Sequence, residues 1–292
     1  MNNPGERVPA DFRFVPNGSA SERCSLRPLT ITTAMAIGSR RRHRHDPDMA
    51  TNGTFLRAFQ AIGQRHREPE LMDQPGLDEQ VHDQALRGLA RINRFSRSAA
   101  ILWPSLRALA REQSGRPLRV LDVACGGGDV TVALARKARQ ERLAVQMAGC
   151  DRSDTALEIA RRHAVHANEP VEFFPHDVLA QPLPARFDAI ICSLFLHHLD
   201  ETDAVAVLRS MSQATSQVVL INDLVRNRRG YLLAVLGTRL LSRSPIVHVD
   251  GPLSVAGAFT LAEALQLCDQ AGLMGATISR RWPQRFLLTW RR

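Results

Sequence analysis

The 292-residue sequence predicts an α/β domain with a seven-stranded, mostly parallel sheet, an antiparallel hairpin at its C-terminal end and a helical cap ahead of it. Three observations carry this expectation. Between Gly115 and Asp223, short apolar runs alternate with helical stretches, as in a parallel sheet covered on both faces. The first of those runs leads directly into three glycines, in "LDVACGGGDV" (121–130). The chain ends with "MGATISRRW", "PQ" and "RFLLTW", two strand-like runs around a tight turn.

Taken in order, residues 1–53 lack sustained periodicity and carry "RFVPNGSASER" and "GSRRRHRHDPD", so a disordered extension is expected. Initiation at Met49 or a later methionine accounts for residues 1–48 equally well. From 54 to 114 a helical cap region is expected, because Val81, Ala85, Leu89 and Ile92 recur at steps of four, four and three. Pro104 should break this region into two helices. The main domain then fills 115–292. "LRVLDVA" reads as a strand, "VTVALARKARQ" as a helix and "AVQMAGC" as a strand. "DTALEIARRHAVHA" follows as a helix opened by Asp154, then "VEFFP" and "FDAIICS" as strands. "DAVAVLRSMSQA" is helical, "SQVVLIND" is a strand and "TLAEALQLCDQAG" is the last helix. Residues 224–258 interrupt this rhythm as a lid-like insertion rich in Leu, Arg and Gly.

Composition narrows the function classes. The net charge of +9 invites a nucleic-acid or membrane partner, yet Lys137 is the only lysine among 38 basic residues, the mark of a coding bias. The excess also gathers at the ends, with five Arg and no acid after Asp269. A solvated basic surface is the plainer reading. Five scattered cysteines without a CxxC argue against a disulfide framework or a structural zinc site and fit a reducing cytoplasm. No apolar run reaches transmembrane length and no secretory signal opens the chain, so a cytoplasmic location is expected, with peripheral membrane contact left open.

Glycines directly after a first strand let backbone approach a ligand closely, with a helix N-terminus behind. A dinucleotide fingerprint needs a third glycine where Thr131 stands. Asp122 and Asp129 flank the loop, and carboxylates there would repel a pyrophosphate while suiting a ligand with a cationic amino group.

These residues resemble a known family. Asp122-Val-Ala124-Cys-Gly126-Gly-Gly128 is similar to the acid-x-Gly-x-Gly-x-Gly loop of class I S-adenosylmethionine-dependent methyltransferases. Ala124 replaces the first glycine, as in the ubiquinone/menaquinone C-methyltransferase-like branch. The resemblance covers about residues 115–223 and implies a Rossmann-like fold with S-adenosyl-L-methionine as cofactor. It assigns Asp151, in "AGCDRS", to the ribose hydroxyls, both of which a carboxylate can receive. It assigns Asp177 to the adenine amine and Val178 to the ring edge, while Gly126 and Gly128 leave room for the methionine portion. "FDAIICSLFLHHL" is like the fourth strand and the loop beneath the methyl donor, with Ser193 as a cofactor contact.

His197 and His198 follow that strand as candidate catalytic residues, one of which would take a proton from a phenol or enol. The alternative is that one packs and the other meets the cofactor, since adjacent residues rarely face the same way. Asp223 either orients the acceptor or caps the next segment. Arg226, Arg239, Arg243, His248 and Asp250 either anchor a lid or belong to a surface helix packed on the cap, and Arg91, Asn93 and Arg94 offer a second lid. No metal site is expected: His43, His45, His163 and His166 read as solvated. The expected activity is O- or C-methylation of a small, fairly apolar acceptor, phenolic, quinone-like or polyketide-derived. A nucleic-acid methyltransferase is disfavoured because "CSLFLHHL" replaces the Asn/Asp-Pro-Pro-aromatic motif. A non-catalytic cofactor-binding regulator and a dehydrogenase are the other rivals, and the oligomeric state is open.

Overall fold

The apolar run before the glycines forms the middle of the sheet. In the computed structural model, which describes residues 62–73, 78–184 and 186–292, this strand is β1 (Leu118–Val123), buried over nearly its whole length. The expectation for residues 1–53 lies outside the described residues. Strands run parallel in the order β3 (Glu172–Pro175), β2 (Val145–Asp151), β1, β4 (Phe187–Ser193) and β5 (Thr215–Leu224). Next to β5, β7 (Arg285–Arg291) and then β6 (Thr277–Arg281) pair antiparallel, as the terminal hairpin requires. Strand order reverses between β1 and β4, and such switch points open a crevice at the carboxyl edge.

Alternation along β1 explains the layers. Leu118 and Val120 point to one face, where Leu102 and Leu106 of α2 (Ser98–Glu112) and Leu134 of α3 (Asp129–Gln140) meet them. Leu157 and Ala160 of α4 (Asp154–Ala167) extend the cover over Phe173. Leu121 and Val123 point the other way, into Leu208 and Met211 of α5 (Glu201–Ala214) and Leu267 of α8 (Leu261–Ala271). Each such leucine, fully buried, contributes about 1.5–3 kcal/mol. Caps set the helix starts. The Ser153 hydroxyl accepts from Ala156 N at 3.2 Å, so α4 is opened by Ser153 and Asp154 falls in its first turn. Thr260 and Glu263 form a reciprocal capping box on α8.

Two details differ from expectation. The break in the cap lies at Ser96–Arg97, between α1 (Glu79–Phe95) and α2. The Ser96 hydroxyl and amide both return to Ile92 O at 2.8 Å, and Arg97 takes φ 58, which reverses the chain. Pro104 sits inside α2 at an exposed position, so its missing N–H lies on the solvent side, away from the core face. The insertion is also helical, comprising α6 (Arg228–Leu241) and α7 (Pro245–Gly257), which pack on each other and on α1. Its polar residues tie it to itself and to the segments around it. Buried Arg226 donates to Ala258 O and to both oxygens of Glu263, and Asp250 accepts from Leu71 N and Met72 N. The His248 ring reaches Ser242 O, and Arg239 returns to Val235 O. Among the described residues no helix is long and apolar enough to cross a membrane.

Candidate active site

A cavity of about 1790 Å³ runs along the carboxyl ends of β1, β2, β4 and β5. A pocket for one drug-sized molecule measures roughly 300–1,000 Å³, so this one has room for two ligands. Leu86 and Ala90 of α1 and Leu233 and Leu241 of α6 line it opposite the sheet edge.

One end is the glycine loop. Ala124, Gly126 and Gly128 all take positive φ, at 55°, 52° and 71°. A left-handed residue other than glycine costs about 1–2 kcal/mol, so the turn is imposed on Ala124 by its surroundings. A Cβ at Gly126 would meet nothing within 4 Å, and this residue borders the cavity. Gly128 differs from the expectation that it clears space for a ligand. A Cβ there would lie 2.8 Å from Ala160 Cβ and 2.9 Å from the Phe173 ring. Its lack of a side chain serves the packing of α4 and β3, and it is not a wall of the cavity.

Carboxylates surround the loop. Asp122 is 1% exposed; its Oδ2 accepts from the Thr131 hydroxyl at 2.6 Å, while its Oδ1 has no partner. Burial pushes this carboxyl up to about 7, with the Thr131 hydrogen bond opposing and the charges of Asp129 and Asp151 adding to the rise. Burial likewise raises Asp129, against its hydrogen bond with Asn93. Asp151 accepts from Gly126 N (2.8 Å) and Ser153 N (2.9 Å), one on each oxygen. Asp177 is exposed, turned by Leu179 N on its Oδ1, with Val178 beside it. Ser193 Oγ accepts from Asn222 Nδ2 at 2.9 Å. Asp122, Ala124, Gly126, Asp151, Asp177, Val178 and Ser193 therefore border one cavity. A buried carboxylate oxygen without a donor, beside open space at Gly126, fits a ligand bearing an ammonium group.

At the other end, a single 3₁₀ turn, Leu196–His198, brings both imidazoles to the same side, their ring centroids 4.3 Å apart. This is where the rule that neighbours diverge fails, because it belongs to strands. His197 Nδ1 lies 2.7 Å from Asp223 Oδ1, and His197 N donates to Oδ2. Asp223 also accepts from Leu224 N at 2.6 Å, so one carboxylate both fixes the imidazole and holds the segment after β5. Burial pushes Asp223 up, but its contacts with His197, the Leu224 amide and His198 together outweigh it and hold the carboxyl below its ordinary range. Glu70 and Arg285, neither prominent in the sequence, complete this end. Glu70 Oε1 is 3.7 Å from His197 Nε2 and Oε2 is 3.9 Å from His198 Nε2. Arg285 is buried and donates to Ser98 Oγ and to Asn93 Oδ1. Burial lowers its guanidinium to about 10, with Asp223 and Asp129 opposing, so it stays charged at neutral pH. Arg91, at the cavity's edge, donates to Leu241 O, tying α1 to the end of α6.

Residues 120–217 match a family described as a methyltransferase domain. A ubiquinone biosynthesis O-methyltransferase of Leptothrix cholodnii is 28% identical over 159 residues, 53% of this chain and 64% of that protein. One of the same description from Xanthomonas campestris pv. campestris is 31% identical over 166 residues, 53% of this chain and 66% of that protein. The chain thus spans about half to two thirds of the length of the curated relatives it matches. Among solved structures, the apo form of the S-adenosylmethionine-dependent methyltransferase SibL superposes with a TM-score of 0.57 at 20% identity, covering 84% of this chain and 71% of that one. That likeness is one of fold.

Proposed function

We propose that this chain, which carries a class I S-adenosylmethionine-dependent methyltransferase domain, methylates a hydroxyl oxygen of a small, fairly apolar acceptor. The observation that carries the reading is the buried Asp122 oxygen left without a donor beside the glycine loop. Asp122 receives the cofactor's ammonium group, Gly126 lets backbone approach, and Asp151 takes the ribose hydroxyls. Asp177 and Val178 meet the adenine, with Ser193 beside the donor. When bound, S-adenosyl-L-methionine supplies an electrophilic methyl carbon on a sulfonium. The chain's own task is to hold the acceptor oxygen in line, about 3 Å from that carbon, and to exclude water.

Helices α1, α6 and α7 act as the lid, and their leucines match an acceptor that is phenolic, quinone-like or polyketide-derived. His197, held by Asp223, and His198 receive the acceptor hydroxyl and favour its deprotonated form. O-methylation is preferred to C-methylation because the curated relatives cited above are described as O-methyltransferases. Four buried cysteines carried as free thiols support a reducing, cytoplasmic setting.

The test is transfer of a radiolabelled methyl group from S-adenosylmethionine to catechol, simple phenols and hydroxyquinones by the full-length chain. Label should appear in an alkali-stable ether and fall away in Asp151→Ala. Binding of S-adenosylhomocysteine without transfer to any acceptor overturns the catalytic reading, and no binding overturns the cofactor assignment as well.

A further inference from the structure

We infer that Glu70, His197 and His198 form a three-ligand site for a divalent first-row cation of zinc's kind, at the acceptor end of the cavity. Each residue offers one ligand atom, and these atoms lie within 4.8 Å of one another. Ions of zinc's size hold nitrogen and oxygen ligands about 2.0–2.2 Å away, which spaces tetrahedral ligand atoms about 3.4 Å apart. His197 Nε2 lies 3.7 Å from Glu70 Oε1 and His198 Nε2 lies 3.9 Å from Oε2, so a rotation of the Glu70 carboxylate and a further approach of the side chains, at most about 1.4 Å from the 4.8 Å bound, bring the three ligand atoms to that spacing.

The surroundings fix the ligand atoms in the right form. Asp223 Oδ1 is an acceptor 2.7 Å from His197 Nδ1, so a hydrogen on Nδ1 satisfies this contact and leaves Nε2 as the ring atom turned toward Glu70. A carboxylate behind the imidazole is the usual outer support of a metal-bound histidine. Glu70 is buried and is itself oriented by the Ser254 hydroxyl. At 3.7 Å the Nε2–Oε1 separation is too long for a hydrogen bond but leaves room for an ion between the two buried side chains. An imidazole pair with one carboxylate is the donor set of borderline divalent ions, and three protein ligands leave positions open.

Those open positions suit an acceptor with two neighbouring oxygen donors, such as an ortho-dihydroxy or hydroxy-keto ring. With the ion bound, the two imidazoles act on the acceptor only through it, and the cation takes over the task of favouring the deprotonated hydroxyl, whose proton passes to water. This role rests on the methyl-transfer reading; the binding of the ion does not. Sequence spacing conceals the site because Glu70 lies far upstream, in "HREPELMD", and joins the histidines only through the fold.

The experiment is a Co²⁺ titration of chelator-treated, full-length protein, followed by visible absorption, with Zn²⁺ as competitor. One equivalent should bind with a low-symmetry Co²⁺ spectrum that Zn²⁺ abolishes. Glu70→Gln and His198→Gln should each weaken binding by about 10-fold or more while thermal unfolding stays that of the parent. No such spectrum, or binding that both folded variants leave untouched, overturns the site. S-adenosylhomocysteine binding is measured in the same samples. Its absence from the parent protein overturns the methyltransferase reading, and the Co²⁺ result alone decides the metal site.

Discussion

Asp122→Asn should remove the pH dependence of cofactor affinity. The carboxyl of Asp122 is pushed up to about 7 by burial, and its Oδ1 has no donor among the described residues. An ammonium group placed there favours the ionised form, so binding pulls a proton off the carboxyl. If the complex holds Asp122 fully ionised, affinity at one pH unit below 7 is about tenfold weaker than on the alkaline plateau. The same shift works against the free protein. A folded-state value above the unfolded one means that the folded chain binds the extra proton, so stability falls as pH rises from about 4 to about 7. The full loss is on the order of 4 kcal/mol, an upper figure for a carboxyl this buried. Asparagine has no charge to bury. Without cofactor, Asp122→Asn should therefore melt higher than the parent at pH 8 and match it near pH 4. Calorimetry with S-adenosylhomocysteine at pH 6, 7 and 8, beside thermal unfolding of both proteins, measures each arm. A parent affinity that is flat across this range, or a variant that keeps the parent's slope, would refute the reasoning.

Three further outcomes follow from named contacts. Asp151→Ala should cost about 1.5–3 kcal/mol of S-adenosylhomocysteine affinity by calorimetry, and should also lower the melting temperature because Gly126 N and Ser153 N lose their acceptor. Gly128→Ala should destabilise by about 1–3 kcal/mol in urea, since its Cβ would meet Ala160 and Phe173 at positive φ, whereas Gly126→Ala should act on cofactor affinity more than on folding. Buried Asp188 is held down to about 2 by the guanidinium of Arg116, against the opposing effect of burial, with Arg119 N also bonded to it. A lowered folded-state value gives stability that is present above about pH 4 and lost as pH falls through about 2. Arg116→Ala should remove about 1–2 kcal/mol of it, reduced by the exposure of the arginine, and acid unfolding should move to higher pH.

The sheet was legible because its strands are short apolar runs whose neighbours are periodic, and the loop because its glycines and acids stand in fixed order. Asp122, Asp151 and Asp177 were set around one ligand by the family resemblance, and the structure brings them to one cavity. Gly128 could not be told from Gly126. Both take positive φ, and only three-dimensional packing separates a glycine that faces space from one that faces Phe173. The helix break was misplaced because proline announces itself in sequence, whereas a left-handed Arg97 does not. For Arg226, Asp250 and His248 the sequence left open a lid or a helix packed on the cap. In the structure Arg226 reaches Glu263 of α8, Asp250 receives Leu71 N and His248 meets Ser242 O, contacts that only the fold brings together. Glu70 and Arg285 escaped notice because a lone acid in an aperiodic stretch and one arginine among many carry no pattern; their meaning arises from what the fold sets beside them.

The most direct measurement of the central claim is a crystal structure of the full chain with S-adenosylhomocysteine. The ligand should lie along the carboxyl ends of β1, β2 and β4, with its ammonium at Asp122 Oδ1, its ribose on Asp151 and its adenine beside Asp177 and Val178. Density for the nucleoside elsewhere, or a ligand that leaves Asp122 Oδ1 without a donor, would contradict it.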